Sequence, residues 1–136
     1  MNVFVDTNVL IDYVCVRDEF YEDAKRLFAL GYMNKLNLSI SSLSIINTMY
    51  VGRKYGISTI RKRLKSMLAF VKVCDLKACV VKEALDSNWK DYEDAVQYKC
   101  ARHTDADCIV TRNKRDFAGA EIPVYTSGEL LSLLQA

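Results

Sequence analysis

The sequence is poor in residues that break or staple a chain. It holds one proline and five glycines in 136 residues, which excludes collagen-like and linker-rich architectures. It has a single histidine, His103, and five cysteines at positions 15, 74, 79, 100 and 108, with no CxxC among them. That spacing offers no zinc site. An odd count with apolar flanks, as in Cys108-Ile109-Val110, reads as reduced thiols in a core. No apolar run approaches the roughly 20 residues that span a bilayer. The opening Asn2-Val3-Phe4-Val5-Asp6 lacks the basic region and small-residue cleavage site of a secretory leader. A cytoplasmic protein with no membrane partner is therefore expected.

Acids are missing from one long stretch. Between Asp23 and Asp75 there is none, while ten Lys/Arg fall there. Six of them, Arg53, Lys54, Arg61, Lys62, Arg63 and Lys65, lie close together. The rest of the chain carries all seventeen acids against nine bases. A basic region facing an acidic one suggests a polyanion held near a cation site. A solvated basic helix would give the same composition.

Hydrophobic residues make up 51% and charged residues 26%, enough for a real core in one domain spanning residues 1–136. Short β-type runs occur at Val3–Val5, Leu38–Ile40, Phe70–Cys74, Cys108–Val110 and Ile122–Tyr125, with Pro123 marking the last as an edge strand. Helical patterns lie between them. One is short, from Asn8 to Val14. One is capped by Asp18 and buries Phe20, Ala24, Leu27, Phe28 and Gly31. Others carry Leu43, Ile46, Met49 and Tyr50; Ile60, Leu64, Met67 and Leu68 after a Ser58 cap; and Ala78, Val81, Ala84 and Leu85. A helix from about Asp91 to His103 and one opened by Ser127 complete the pattern. Strands alternating with helices imply an α/β fold: a three-layer α/β/α sandwich around a central, mostly parallel sheet of four to five strands.

Ligands of such sheets bind beyond the carboxyl ends of the strands, and three aspartates fall there. Asp6 directly follows the first strand, where it also suits an N-cap. Asp116 lies in the loop Thr111-Arg112-Asn113-Lys114-Arg115-Asp116 after the fourth. Asp94 opens a late helix, three residues after Asp91, an arrangement that also fits a capping box. Jointly the three fit hard-cation coordination, Mg²⁺ or Mn²⁺. Such a site can activate water against a phosphodiester, with the basic stretch on the nucleic-acid backbone.

Val5-Asp6-Thr7-Asn8-Val9-Leu10-Ile11-Asp12, together with Asp91-Tyr92-Glu93-Asp94-Ala95-Val96-Gln97 and Ile109 to Phe117, resembles the opening and closing motifs of PIN-domain nucleases. The chain most resembles the small bacterial PIN domains that are toxins of type II toxin–antitoxin pairs. The resemblance implies metal-dependent cleavage of single-stranded RNA, a cognate antitoxin that covers the site, and a homodimer. It maps the metal-holding acids onto Asp6, Asp94 and Asp116. Thr7, Asn8, Asp91, Thr111 and Asn113 stand as supporting positions, and Arg112 and Arg115 join the six clustered cations as RNA-binding candidates. One position departs: where the family has a glutamate on the helix after the second strand, this chain has Asn47. An amide carries no charge and is a poor base, so metal affinity should weaken. A non-catalytic PIN-like module binding RNA or protein is the competing reading. Asp91, one turn before Asp94 on the same helix, is the candidate to compensate in part.

Other features read more plainly. Asn47 shares a helical stripe with Ser44 and Thr48, which suits a solvated face. Asp12 reads as a surface acid, with a supporting contact behind the site as the alternative, and His103 as a surface or helix-end histidine. Tyr50 reads as core, although the group Tyr50, Tyr55, Arg53 and Lys54 would also suit stacking on RNA, and Trp89 reads as core or a dimer contact. A haloacid-type phosphatase would want an acid two residues after Asp6, where Asn8 stands. A response-regulator receiver would want paired acids after the first strand, which are absent.

Overall fold

The computed structural model describes residues 1–135. Strand β1 (Asn2–Val5) leads into helices α1 (Thr7–Val14) and α2 (Asp18–Tyr32), then β2 (Asn37–Ser41), α3 (Ser42–Gly52) and α4 (Ile57–Met67). Strand β3 (Val71–Cys74), α5 (Ala78–Leu85), α6 (Tyr92–His103), β4 (Cys108–Val110), β5 (Val124–Tyr125) and α7 (Ser127–Gln135) complete the order. The sheet runs β3-β2-β1-β4-β5, with every neighbouring pair parallel.

Period-two alternation sorts the strands into the two faces. Val3 and Val5 of β1, Leu38 and Ile40 of β2, and Cys108 and Val110 of β4 join a core with Leu10, Leu27, Phe28, Ile60, Leu64 and Leu130. Helices α1, α2, α4 and α7 therefore cover that face. Phe4 and Ile109 point the other way, onto Val80, Ala84, Ala95, Val96 and Phe117, so α5 and α6 cover the second face. Burial on both sides explains why these strands read as continuous apolar runs.

Some local expectations need correction. Arg17, not Asp18, holds the N-cap position of α2, and Asp18 is its first helical residue. Ser58 caps nothing: α4 starts at Ile57 behind Gly56, whose φ of 99° is a conformation that favours glycine. Tyr50 is 67% exposed and Ile46 66%, because α3 buries its small polar side chains instead. Ser44 and Thr48, expected in a solvated stripe, are both fully buried. Leu85 and Leu68 are exposed. Four of the five cysteines are buried free thiols; Cys79 is exposed. Trp89 is half-buried, stacked on Tyr98 with ring centroids 4.9 Å apart. His103 sits at the surface, with Nε2 3.1 Å from a Glu83 oxygen.

The strand order places β2 and β4 on either side of β1. Connections leave β1 and β2 toward one edge and leave β4 toward the other. The switch point therefore lies between β1 and β4, and that is where a crevice opens.

Candidate active site

The crevice is a cavity of about 350 Å³ lined by Asp6, Asn8, Arg17, Asn47, Glu93, Asp94, Asn113 and Asp116, among others. The three expected aspartates thus share one cavity, with Asn47 and Glu93 beside them. Each arrives by a different route. Asp6 is delivered by the end of β1, Asp94 by the first turn of α6, and Asp116 by the helical turn at Lys114–Phe117.

Asp6 is the buried member, 7% exposed. Its Oδ1 accepts the backbone N–H of Thr7 at 2.8 Å and the amide of Gln97 at 3.4 Å. Its Oδ2 accepts the Thr111 hydroxyl at 2.8 Å. The Thr7 bond makes Asp6 the N-cap of α1 as well, so the capping role and the cavity position coexist. Burial nonetheless pushes its carboxyl up. The bonds from Thr111, Thr7 and Gln97 only oppose that shift, and the charge of Glu93 adds to it.

Behind Asp6 lies a polar knot that the sequence did not announce. The Gln97 amide also donates to the hydroxyls of Thr7 and Ser44, at 2.8 Å each, and its carbonyl accepts Ser41 Oγ at 2.6 Å. Thr7 and Ser44 hydroxyls meet at 2.7 Å. Gln97, Ser41 and Ser44 have no exposed surface. A buried amide costs desolvation unless satisfied. Here it ties α6, α1, β2 and α3 together under one carboxylate.

Asp94 is half-buried, and its carboxyl is pushed up to about 7. Desolvation is the largest cause, followed by the charges of Asp91, Asp6, Asp116 and Glu93. Asp91 itself is the exposed N-cap of α6, its Oδ1 accepting the Asp94 N–H at 3.0 Å. It lines an adjoining cavity with Lys90, Asp94, Arg115 and Asp116 rather than the acid cavity itself. Asn113 lines the acid cavity, and its backbone N–H donates to Thr111 Oγ1 at 3.1 Å. Asn8 spans the same loop, donating to Thr111 Oγ1 and accepting the Arg112 N–H.

The cations divide. Arg115 borders the acids through the adjoining cavity. Arg17, which the sequence reading passed over, lines the acid cavity. Arg112 is held elsewhere: its Nε donates to Asp12 Oδ2 at 2.7 Å, and its guanidinium lies over the Phe20 ring. Asp12, expected at the surface, is 1% exposed between Arg112 and Arg17. Burial pushes its carboxyl up against the pull of both arginines. Arg53, Lys54, Arg61, Lys62, Arg63 and Lys65 are exposed but line none of the acid cavity. Arg63 donates to the Val14 carbonyl at 2.8 Å, and Arg53 covers the Tyr50 ring, 3.9 Å from its centroid. Tyr50 lines the cavity, not the core.

Among the described residues, no three His, Cys, Asp or Glu side chains form a group that would hold a metal ion as they stand. The donor set still fits a hard, hydrated cation. It is all oxygen, burial and the surrounding acids raise the proton affinity of Asp94, and the cavity has room for an ion with its waters. Mg²⁺ keeps several waters and binds through few carboxylates.

Carboxylates gathered at the switch point of a parallel sheet, one of them braced from behind by buried amide and hydroxyl groups, define an α/β protein with an acid-lined binding cavity. The chain belongs to the PIN domain family, whose model matches residues 2–115. It is similar to Ribonuclease VapC1 of Aquifex aeolicus (strain VF5), with 27% identity over 132 residues that cover 93% of this chain and 91% of that protein. Its fold is shared by a toxin–antitoxin complex from Klebsiella pneumoniae, with a TM-score of 0.68, 23% identity, and coverage of 92% of this chain and 97% of that one. VapC20 of Mycobacterium tuberculosis, described as a sarcin–ricin loop cleaving toxin, also shares it, with a TM-score of 0.64, 19% identity, and coverage of 79% and 86%. VapBC2 of Rickettsia felis, solved bound to a promoter DNA fragment, gives a TM-score of 0.65 at 17% identity, covering 92% and 97%.

Proposed function

We propose that this chain is a Mg²⁺- or Mn²⁺-dependent endoribonuclease that cleaves single-stranded or loop RNA, and that it is the toxin of a toxin–antitoxin pair. The observation that carries the reading is the shared cavity of Asp6, Asp94 and Asp116 at the sheet's switch point, where burial and then the charges of its neighbours disfavour the bare Asp94 carboxylate. The similarity to a protein named a ribonuclease supports the reaction class.

Asp6, Asp94 and Asp116 would hold the ion, in part through its waters. When bound, the ion supplies a more acidic water and positive charge opposite the scissile phosphate. The rest falls to this chain's own side chains. Thr111, Thr7 and Gln97 fix the orientation of Asp6. Burial and neighbouring acids raise the proton affinity of Asp94 in the metal-free site, so Asp94 gives up a proton on binding an ion there and is then held as the carboxylate. Arg115 and Arg17 stand beside the acids and neutralise phosphates flanking the cleaved bond. Exposed Tyr50, backed by Arg53, offers a face on which a base can stack. The lysines and arginines of α4 extend the path of the RNA backbone. An antitoxin that covers the cavity and a homodimer in the cytoplasm belong to the same reading. The described neighbours that are toxin–antitoxin complexes support the first of these.

The test is RNA cleavage with Mg²⁺ or Mn²⁺, parent beside Asp6→Asn. Loss of at least about 100-fold in rate in the variant is expected, the scale of removing one preorganised catalytic group. Equal cleavage by both proteins would sink the assignment. A second reading, a PIN-like module that binds RNA without cutting it, is favoured by Asn47. Under it, neither protein cleaves and both bind RNA alike.

A further inference from the structure

Glu93 lines the acid cavity beside Asp6 and Asp94. An acid in the first turn of α6 suits the helix dipole in any rotamer, so the helix alone does not require this side chain to reach across the crevice. It does reach across. The Asn47 amide on α3 donates to Glu93 Oε1 at 2.8 Å, joining residues 46 apart. The amide must face the carboxylate with its N–H₂, because the opposite flip would set oxygen against oxygen.

We infer that Glu93, positioned by Asn47, is the fourth carboxylate of the acid cavity and takes part in holding its divalent ion. The inference rests on the proposed reading of that cavity as a metal site. It also accounts for the chain's departure at position 47. A glutamate there would set a second carboxylate against Glu93, and like charges at that range repel. A neutral donor at 47 and an acid at 93 therefore form a matched pair: the negative charge enters from α6, and α3 supplies the group that aims it. Asn47 is then a positioning residue, and Glu93 touches the ion or its waters.

The experiment is Mn²⁺ binding by the intact protein, followed by the electron paramagnetic resonance of free Mn²⁺, with no RNA present. Glu93 and Asn47 lie at the surface of the crevice, so the variants should fold; a thermal melt checks each one. Glu93→Gln is expected to raise the Kd for Mn²⁺ by about 10- to 100-fold, as losing a ligand or its support does. Asn47→Ala should raise it less, by about 3- to 10-fold, since Glu93 stays but is no longer aimed. The double variant Asn47→Glu with Glu93→Gln should restore binding to within about threefold of the parent, because the charge has only changed helices. Parent-like binding by Glu93→Gln, together with loss in Asp6→Asn, overturns this inference and leaves the metal site standing. Failure of the double variant to improve on Glu93→Gln also overturns it. Parent-like binding by Asp6→Asn itself overturns the metal site, and the role of Glu93 with it.

Discussion

The Thr111 hydroxyl donates to Oδ2 of Asp6 at 2.8 Å, joining the end of β4 to the end of β1 across 105 residues of chain. The strands meet there as well, with the Asp6 N–H donating to the Val110 carbonyl at 2.9 Å. Thr111→Val keeps the shape and removes the donor, leaving a buried carboxylate oxygen unpaired. Stability should fall by about 1–3 kcal/mol, the cost of an unsatisfied buried acceptor. Thr111→Ser should recover most of it. Urea midpoints at unchanged slope are the measurement, and a Val variant as stable as the parent would show the bond to be idle.

Gln97 invites a different pair of substitutions. Gln97→Leu removes partners from Ser41, Ser44 and Thr7, although those hydroxyls can still bond among themselves. A loss of about 2 kcal/mol is expected. Gln97→Glu instead sets a second acid 3.4 Å from Asp6, where the amide now sits. That variant should be the less stable at neutral pH and should close on the parent as the pH falls and the pair shares a proton. A gap that stays constant with pH would contradict the arrangement.

The pH dependence of the metal-free protein follows from Asp94. Its folded carboxyl titrates near about 7 against an ordinary 3.8, so between those values the native state holds a proton that the unfolded chain has released. Stability must then fall as pH rises through this window, and the loss is complete above it. Asp94→Asn removes the contribution and should flatten the slope. Denaturant midpoints in EDTA from pH 4 to pH 8 test this. A parent and variant with parallel profiles would rule it out. At about pH 6, Mg²⁺ or Mn²⁺ binding should release protons, visible as a buffer-dependent heat.

Arg112 and Arg115 look alike in sequence and should behave oppositely. Arg112→Ala strands Asp12, which is 1% exposed and keeps only Arg17 at 4.0 Å. About 3 kcal/mol of stability should go with it, the scale of breaking a buried pair by removing one partner. Arg115→Ala touches no such partner and should leave the melt unmoved while weakening RNA binding. Reversed outcomes would place the phosphate contact at Arg112.

The layered fold was legible because its strands are buried on both faces, and Val3–Val5 and Cys108–Val110 show it as unbroken apolar triplets. Asp6 was legible because a charged residue ends such a triplet. What escaped was whatever depends on a distant partner. Asp12 read as a surface acid because its arginine stands 100 residues away. Ser44 read as solvated because a small polar residue on a helix gives no sign of an amide packed over it from α6. Thr48 read the same way, yet its hydroxyl is buried without a hydrogen-bond partner. Gln97 itself sits in a helix that carries little amphipathic signal, flanked on both sides by buried residues. Glu93 was hidden by a sufficient local excuse, the first turn of a helix. Tyr50 was misplaced because α3 spends its buried face on serine and threonine and leaves an aromatic outside.

The placement of β1 at the middle of the sheet also bears on synthesis. Asp6 leaves the ribosome well before its partners, since Thr111 follows it by 105 residues and the Asp116 turn comes later still. A nascent or prematurely terminated polypeptide that stops short of β4 therefore carries the founding aspartate without the walls that close around it, and the acidic pocket comes into being only once that later stretch has been made.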